Sequence, residues 1–433
     1  MKHVHFVGVG GAGLSAIATV LLESGHTVSG SDMQASENTE RLAAAGATVT
    51  IGHHADNIAG ADTVVISSAV PDGNPEVVAA QAAGLPVLKR QQFLSDLMSP
   101  QTCVAIAGTH GKTTTTALVA YILNNAGYDP SFIVGGVMAN LGTNARHGSG
   151  PHFVVEADEY DRMFLGLDPV AAVITNAEHD HPDEYPTHAD LAAAFDEFAR
   201  RVSREGCLVV CADDQTAAAI GAAARERGQR VATYALQAAA EWRAESLQTN
   251  GAGGYDFLVM RDDETLGLAR SRLPGEHNVA NALAALTVLD FLAVPFDAAL
   301  EGLRGFRGVG RRFEVKGDVA GVTVVDDYAH HPSEIRATLA GARRRYPDRN
   351  IWAMFQPHTY SRTKALLLNF AASFDDADHV LVTDIFGSRE VDNGSVSAND
   401  LVTEMHHADA QYVGALSAAA ALLVENLQPG DVL

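Results

Sequence analysis

The chain is short of cysteine, of basic residues and of long apolar runs. Only Cys103, Cys207 and Cys211 occur. Three cysteines cannot build a disulfide framework, and such sparing use suits a reducing cytoplasm. Cys207 and Cys211 flank Leu208-Val209-Val210, so they read as part of a buried strand rather than half a metal site. Lys and Arg number 30 against 53 Asp and Glu, a formal charge of −23. A surface this negative disfavours nonspecific binding to nucleic acid or to anionic membrane. An anionic ligand therefore needs local positive potential, from lysines, arginines or helix N-termini in a cleft. No stretch of about 20 apolar residues is present, so no membrane insertion is expected. The opening Met1-Lys2-His3-Val4-His5-Phe6 runs at once into a glycine-rich turn and is no secretory signal. The expected location is the cytoplasm.

What is present is an ordinary globular composition, 47% hydrophobic and 19% charged. At roughly 150 residues per domain, the 433 residues suggest three domains, each large enough to bury its own core. A short apolar run, a turn and a helical pattern alternate along the chain, which argues for parallel sheets covered by helices. The first block has strands at Val4 to Val9 and Thr63 to Ile66, with helices at Gly11 to Ser24 and Gln91 to Met98. Ser99-Pro100 reads as a linker. The second block has strands at Val104 to Ala107, Phe153 to Val155, Ala171 to Ile174 and Cys207 to Cys211. It has helices at Thr113 to Asn125 and Asn278 to Phe291, and a β region at Tyr255 to Met260. The third block has strands at Val322 to Val325, Ile351 to Phe355 and Val380 to Thr383, with Pro332 opening a helix. The expected domains are 1–99, 100–312 and 313–433. The final Gly430-Asp431-Val432-Leu433 reads as the start of another strand, so the chain is expected to continue beyond Leu433.

Two glycine loops carry the first chemistry. Gly8-Val9-Gly10-Gly11-Ala12-Gly13 lies between a strand and a helix, and Asp32 follows Gly13 by 19 residues. Glycines allow close backbone approach, and the helix N-terminus favours a diphosphate. Taken alone, this loop suggests NAD, but any diphosphate-linked nucleotide satisfies the same physics. Gly108-Thr109-His110-Gly111-Lys112-Thr113-Thr114 is the sharper signal. It supplies free N–H groups, an ammonium and a hydroxyl for Mg²⁺, as a nucleoside triphosphate requires. Ile106 stands where the usual phosphate-loop pattern has its first glycine, so this loop is a shorter variant.

Further polar groups gather at expected strand ends. Glu156, Asp158, Glu159 and Asp161 follow one strand. Asn176-Ala177-Glu178-His179-Asp180-His181-Pro182-Asp183 follows the next. In a parallel sheet both clusters reach the edge that carries the phosphate loop, where they can hold Mg²⁺. Taken alone, the first cluster reads better as a surface acidic loop. Asp326-Asp327-Tyr328-Ala329-His330-His331-Pro332 and Phe355-Gln356-Pro357-His358-Thr359-Tyr360-Ser361-Arg362 end two strands of the third block. His358 and Arg362 suit a carboxylate; turn and capping roles are the competing reading.

In this order, the motifs resemble the Mur ligase family of peptidoglycan synthesis. The resemblance runs from Gly8 to Leu433 and includes His277-Asn278-Val279-Ala280-Asn281 and Gly310-Arg311-Arg312-Phe313-Glu314. It implies an α/β chain of three domains: a Rossmann-like UDP-binding domain, a central P-loop ATPase domain with a mostly parallel sheet, and a C-terminal Rossmann-like domain. It implies ATP-dependent ligation of L-alanine to UDP-N-acetylmuramate through an acyl phosphate. The first loop then serves UDP-sugar rather than NAD. Gly10, Gly11, Ala12, Gly13, Asp32, Ser67, Ser68 and Arg90 would contact the UDP-sugar. Gly108, Thr109, His110, Gly111, Lys112, Thr113 and Thr114 would hold the ATP phosphates, with Lys112 on the β/γ-phosphates. Thr113, Glu156 and His181 would ligate Mg²⁺. His277, Asn278 and Asn281 would lie near the base, Arg312 at the nucleotide and Asp327 at the ribose. Tyr328 and His330 would face the reaction centre, and His358 and Arg362 would bind the amino-acid carboxylate. Lys112, His181 and His330 are the implied catalytic residues.

Two departures bear on the branch of the family. Alanine-adding members usually carry Arg where this chain has Thr359. Several other members use a carbamylated lysine after the Asp-His motif, but residues 182–206 contain no lysine, which favours the alanine-adding type. The alternatives are a ligase that adds a tripeptide to UDP-N-acetylmuramate and, from the first loop alone, an NAD(P)-dependent oxidoreductase. The expected partners are UDP-N-acetylmuramate and L-alanine, bound by a monomer or a homodimer.

Overall fold

The computed structural model describes residues 2–98, 101–388 and 390–433. The expected linker at Ser99-Pro100 lies outside the described residues. Near the N-terminus, five parallel strands stand in the order Thr48–Ile51, Thr27–Asp32, His3–Val7, Thr63–Ile66, Val87–Lys89. The order reverses direction beside His3–Val7, and a doubly wound sheet binds ligands at such a point. Gly8, at φ +86°, makes the turn there, and the helix Ala12–Glu23 follows.

The central sheet has ten strands. Parallel pairing runs from Trp242–Thr249 through Val231–Ala235, Cys207–Cys211, Ala171–Ile174, Thr102–Ala107 and His152–Glu156 to Ser131–Met138. Antiparallel strands finish both ends, so the expected mostly parallel sheet is a mixed one at its margins. The Tyr255 region is one of these margins, a strand Tyr255–Arg261 paired on both sides. Helices Lys112–Asn125 and Glu276–Phe291 bury apolar residues around most of their circumference, since they lie between the sheet and further chain. One buried cluster runs from Phe6, Leu14 and Leu94 to Phe164, Phe198 and Val210. One face of the first block therefore shares its core with the central one, while Val7, Ile58, Val64 and Ala80 form a smaller separate cluster within the first block. All three cysteines are buried and free.

The third block pairs Glu314–Val319 with Val322–Asp326 and places Trp352–Phe355, His379–Thr383 and Ala410–Gly414 in a parallel sheet. Val432 bridges Thr323 on one side and Ile351 on the other, both in parallel. The strand expected at Gly430 to Leu433 thus takes the form of a bridge between two sheets. Pro332 opens the helix Pro332–Arg345, and the His331 ring accepts the Ser333 N–H at its N-cap. Among the described residues, no helix is long and apolar enough to cross a membrane.

Candidate active site

The first loop meets its expected partners in two groups. Gly10 N–H donates to Asp32 Oδ2 at 2.8 Å, so Asp32 ties the loop to the next strand. Gly11, Ala12, Gly13, Ser67, Ser68 and Arg90 line one recess of about 180 Å³, which Asp161 of the central block also reaches. A Cβ at Gly13 would lie 2.0 Å from Arg90 Nη1, so only glycine admits the guanidinium over this helix start. Arg90 pairs with Asp158 at 3.2 Å. The result is a cationic recess at a helix N-terminus, suited to a diphosphate.

The second loop is braced before any phosphate arrives. Gly108 and Gly111 have φ of +138° and +81°, and added methyl groups would strike Thr175 Oγ1 and Asn281 Oδ1. The His110 N–H donates to Asn176 Oδ1 at 2.8 Å, and the His110 carbonyl accepts from Asn176 Nδ2 at 3.1 Å. Lys112 folds back over the loop: its ammonium donates to the carbonyls of Gly108 and Thr109 and sits 2.8 Å from Glu159 Oε2. Burial opposes the charge of Lys112, but Glu159 raises its pKa above the ordinary value. Burial pushes the Glu159 carboxyl up to about 7. The Thr113 hydroxyl donates to Glu156 Oε1 at 2.9 Å. Two hard oxygen donors side by side fit Mg²⁺. His181 lies 3.7 Å from Glu159 Oε1 and from Asp180 Oδ2, and burial lowers its pKa.

A cavity of about 340 Å³ opens from this loop. It is lined by His110, Gly111, Thr113, Thr114, His277, Asn278, Asn281, Arg312 and Asp327, so the structure gathers the residues expected around the nucleotide. Burial pushes His277 down to about 4 and raises Asp327. Asp327 also accepts the N–H groups of Phe313 and Ala329. Burial alone would lower the His110 pKa, but the carboxylates of Glu178 and Glu334 on either side raise it to about 9.

The third block closes the seam. The His330 ring lies 4.9 Å from Tyr328 and 6.3 Å from His358. His330 Nδ1 is 2.8 Å from the Tyr328 carbonyl, which assigns the proton to Nδ1 and leaves Nε2 as the basic nitrogen. Burial lowers its pKa. Arg362 does not stand open toward a ligand on every edge. Its Nε and Nη2 donate to the two oxygens of Asp180 at 2.7 and 3.2 Å, both residues being buried. Its Nη1 faces His358 Nδ1 at 3.4 Å.

In the sequence Glu159, Glu178 and Asp180 belong to polar clusters suited to Mg²⁺; in the structure they pair with Lys112, His110 and Arg362, and Glu334, which carries no sequence signal of a site role, joins them. Glu334 follows Pro332 by two residues, so an acidic first turn was legible; its partners were not.

Two glycine loops at sheet edges, a cavity built on the second and a third block that brings Arg362, His358 and His330 to the seam define a nucleotide-using enzyme of several domains. Three models of one family match the chain: the Mur ligase catalytic domain over 3–102, the Mur ligase middle domain over 106–289 and the Mur ligase glutamate ligase domain over 311–433. The chain belongs to the Mur ligase family, whose members are ATP-dependent ligases. It is 45% identical over 444 residues to a UDP-N-acetylmuramate–L-alanine ligase of Roseiflexus sp., covering 100% of this chain and 95% of the relative. A Caldanaerobacter subterraneus protein of the same name is 42% identical, at 100% and 94% coverage. Among solved structures, the UDP-N-acetylmuramate-alanine ligase MurC of Thermotoga maritima matches with a TM-score of 0.84 at 30% identity, covering 100% of this chain and 94% of that one. A murein peptide ligase of Psychrobacter arcticus matches at 0.76 and 28%, covering 100% and 95%.

Proposed function

We propose that this protein ligates L-alanine to the lactyl carboxylate of UDP-N-acetylmuramate in peptidoglycan precursor synthesis, with ATP and Mg²⁺, in the cytoplasm. The observation that carries the reading is one seam. On the central side Lys112 and His181 share Glu159, and His181 lies beside Asp180; Asp180 binds Arg362 of the third block, whose Nη1 faces His358, with His330 behind it. The alanine-adding branch is supported by the relatives' names and by the better structural match to MurC than to the murein peptide ligase.

A free carboxylate is a poor electrophile, so activation comes first. A carboxylate oxygen bonds to the γ-phosphorus of ATP as the bond to ADP breaks, giving an acyl phosphate. The alanine amine then bonds to the carbonyl carbon, the bond from that carbon to the phosphate oxygen breaks, and phosphate leaves with its electron pair. Lys112 offsets charge on the transferring phosphoryl. Thr113, Glu156 and His181 would hold Mg²⁺, which when bound would neutralise phosphate charge. His330, with Nε2 unprotonated, takes the amine proton. Arg362 Nη1 and His358 receive the amino-acid carboxylate, while Asp180 fixes the other edge of the guanidinium. Gly11, Gly13, Ser67, Ser68 and Arg90 hold the UDP-sugar. His277, Asn278 and Asn281 surround the base. The working division of the chain is 1–99, 100–312 and 313–433.

The test is phosphate release from ATP and UDP-N-acetylmuramate with L-alanine or with the tripeptide as acceptor. Release with L-alanine is expected. Release with the tripeptide alone would replace this reading by the tripeptide-adding one.

A further inference from the structure

The Glu334 carboxylate sits where three functional groups meet. Its Oε1 lies 3.2 Å from His110 Nδ1 of the phosphate loop and 3.6 Å from Arg312 Nη1. Its Oε2 accepts the His330 N–H at 3.0 Å and lies 3.4 Å from His330 Nδ1. The side chain is largely buried, at 11% exposure, so these are its solvation. A first-turn glutamate ordinarily serves its own helix, by accepting a free N–H and complementing the dipole. The His330 N–H satisfies that role through Oε2 alone. The opposite oxygen, on the loop and Arg312, has no part in capping.

His110 is the other half of the contact. Its backbone is fixed to the central block through Asn176. Its ring is held from two sides: Nε2 is 3.4 Å from Glu178 Oε2, and Nδ1 faces Glu334. Glu178 itself accepts the Ser333 hydroxyl at 2.6 Å. Ser333 and Glu334 both belong to the helix Pro332–Arg345. If the third block swung away, the loop would keep its backbone braces and the Glu178 contact, but the His110 ring would lose Glu334 on one side, and Glu178 would lose the Ser333 hydroxyl that anchors it.

We propose that Glu334 is a positioning residue that makes the phosphate loop complete only when the third block is docked, acting through His110 and Arg312. It rests on the ligase reading in one respect, that this loop holds a nucleoside triphosphate. Electrostatics and positioning then predict opposite outcomes. Removing a carboxylate beside a polyphosphate site should leave nucleotide binding intact or improved. Removing a positioning contact should slow turnover.

The experiment compares Glu334→Gln, Glu334→Asp, His110→Asn and the double variant Glu334→Gln/His110→Asn in the full chain. Melting temperature monitors folding, and calorimetry with a non-hydrolysable ATP analogue and Mg²⁺ monitors binding. Expected are a tenfold or greater fall in kcat for Glu334→Gln and a KM for ATP within about threefold of the unaltered protein. The double variant should be no slower than the slower single, as for two groups of one contact. Glu334→Asp keeps the helix acid but withdraws the carboxylate from His110, so it should also be slow with an unchanged melting temperature. Glu334→Asp at the unaltered rate, or multiplicative losses in the double variant, would overturn the proposal. Failure of the unaltered protein to bind the analogue would instead overturn the ligase reading.

Discussion

Lys112 is held by two carbonyls and a buried carboxylate, so its ammonium is in place before a phosphate reaches the loop. Lys112→Ala should cut phosphate release by about a thousandfold, the upper range for one charge-stabilising group. UDP-sugar binding, by calorimetry, should survive, since the first recess shares no residue with Lys112. Full activity in that variant would sink the proposed mechanism. His110 gives a pH dependence. Its pKa rises from the ordinary 6.5 to about 9 in the folded chain, so folding takes up a proton between those values. That contribution is complete below pH 6.5 and is lost as pH rises through 9. The melting temperature should fall across this window, and His110→Asn should flatten the fall. An equal slope in both proteins would refute the assignment. The residue types at these positions were legible in the sequence, because Gly-Lys-Thr states its chemistry locally. The partners were not. Glu159 reads as a surface acid in a run of acids, and only the fold shows it buried beneath Lys112.

At the scale of elements, the phosphate loop depends on backbone geometry as much as on side chains. Gly111 has φ +81°, and a Cβ there would lie 2.4 Å from Asn281 Oδ1 on the neighbouring helix. Gly111→Ala therefore adds left-handed strain of roughly 1–2 kcal/mol to a displacement of Asn281, one of the residues facing the nucleotide. The variant should melt lower and bind the ATP analogue at least tenfold more weakly; unchanged binding would show that Asn281 has room to move. Strand and helix positions were largely legible, since Val104 to Ala107 and Asn278 to Phe291 are apolar runs bounded by glycine or polar turns. The strand Thr102–Ala107 and the helix Glu276–Phe291 each start two residues before that reading. The antiparallel margins of the central sheet were harder to read. Trp242–Thr249 and Glu264–Arg270 are half-exposed and rich in polar residues, so their pairing rests on long-range register rather than on a local pattern.

Across the whole molecule, the Asp180–Arg362 pair joins the central and third blocks through two hydrogen bonds between buried groups. Breaking one partner of a buried pair typically costs about 3–5 kcal/mol. Here the chain has a cheaper escape, because the third block can swing away and let Arg362 meet water. Asp180→Asn should therefore raise the radius of gyration in small-angle scattering and slow ligation at least tenfold, with the first two blocks still folded. A scattering profile identical to the unaltered protein would show that other contacts hold the seam. The same pair sets an order of events during synthesis. The two residues are 182 positions apart, and at about 5–20 residues per second Arg362 leaves the ribosome roughly ten to forty seconds after Asp180. Through that interval Asp180 stands at the rim of a central block still open to water, and the contact that closes the seam is among the last the newborn chain can make.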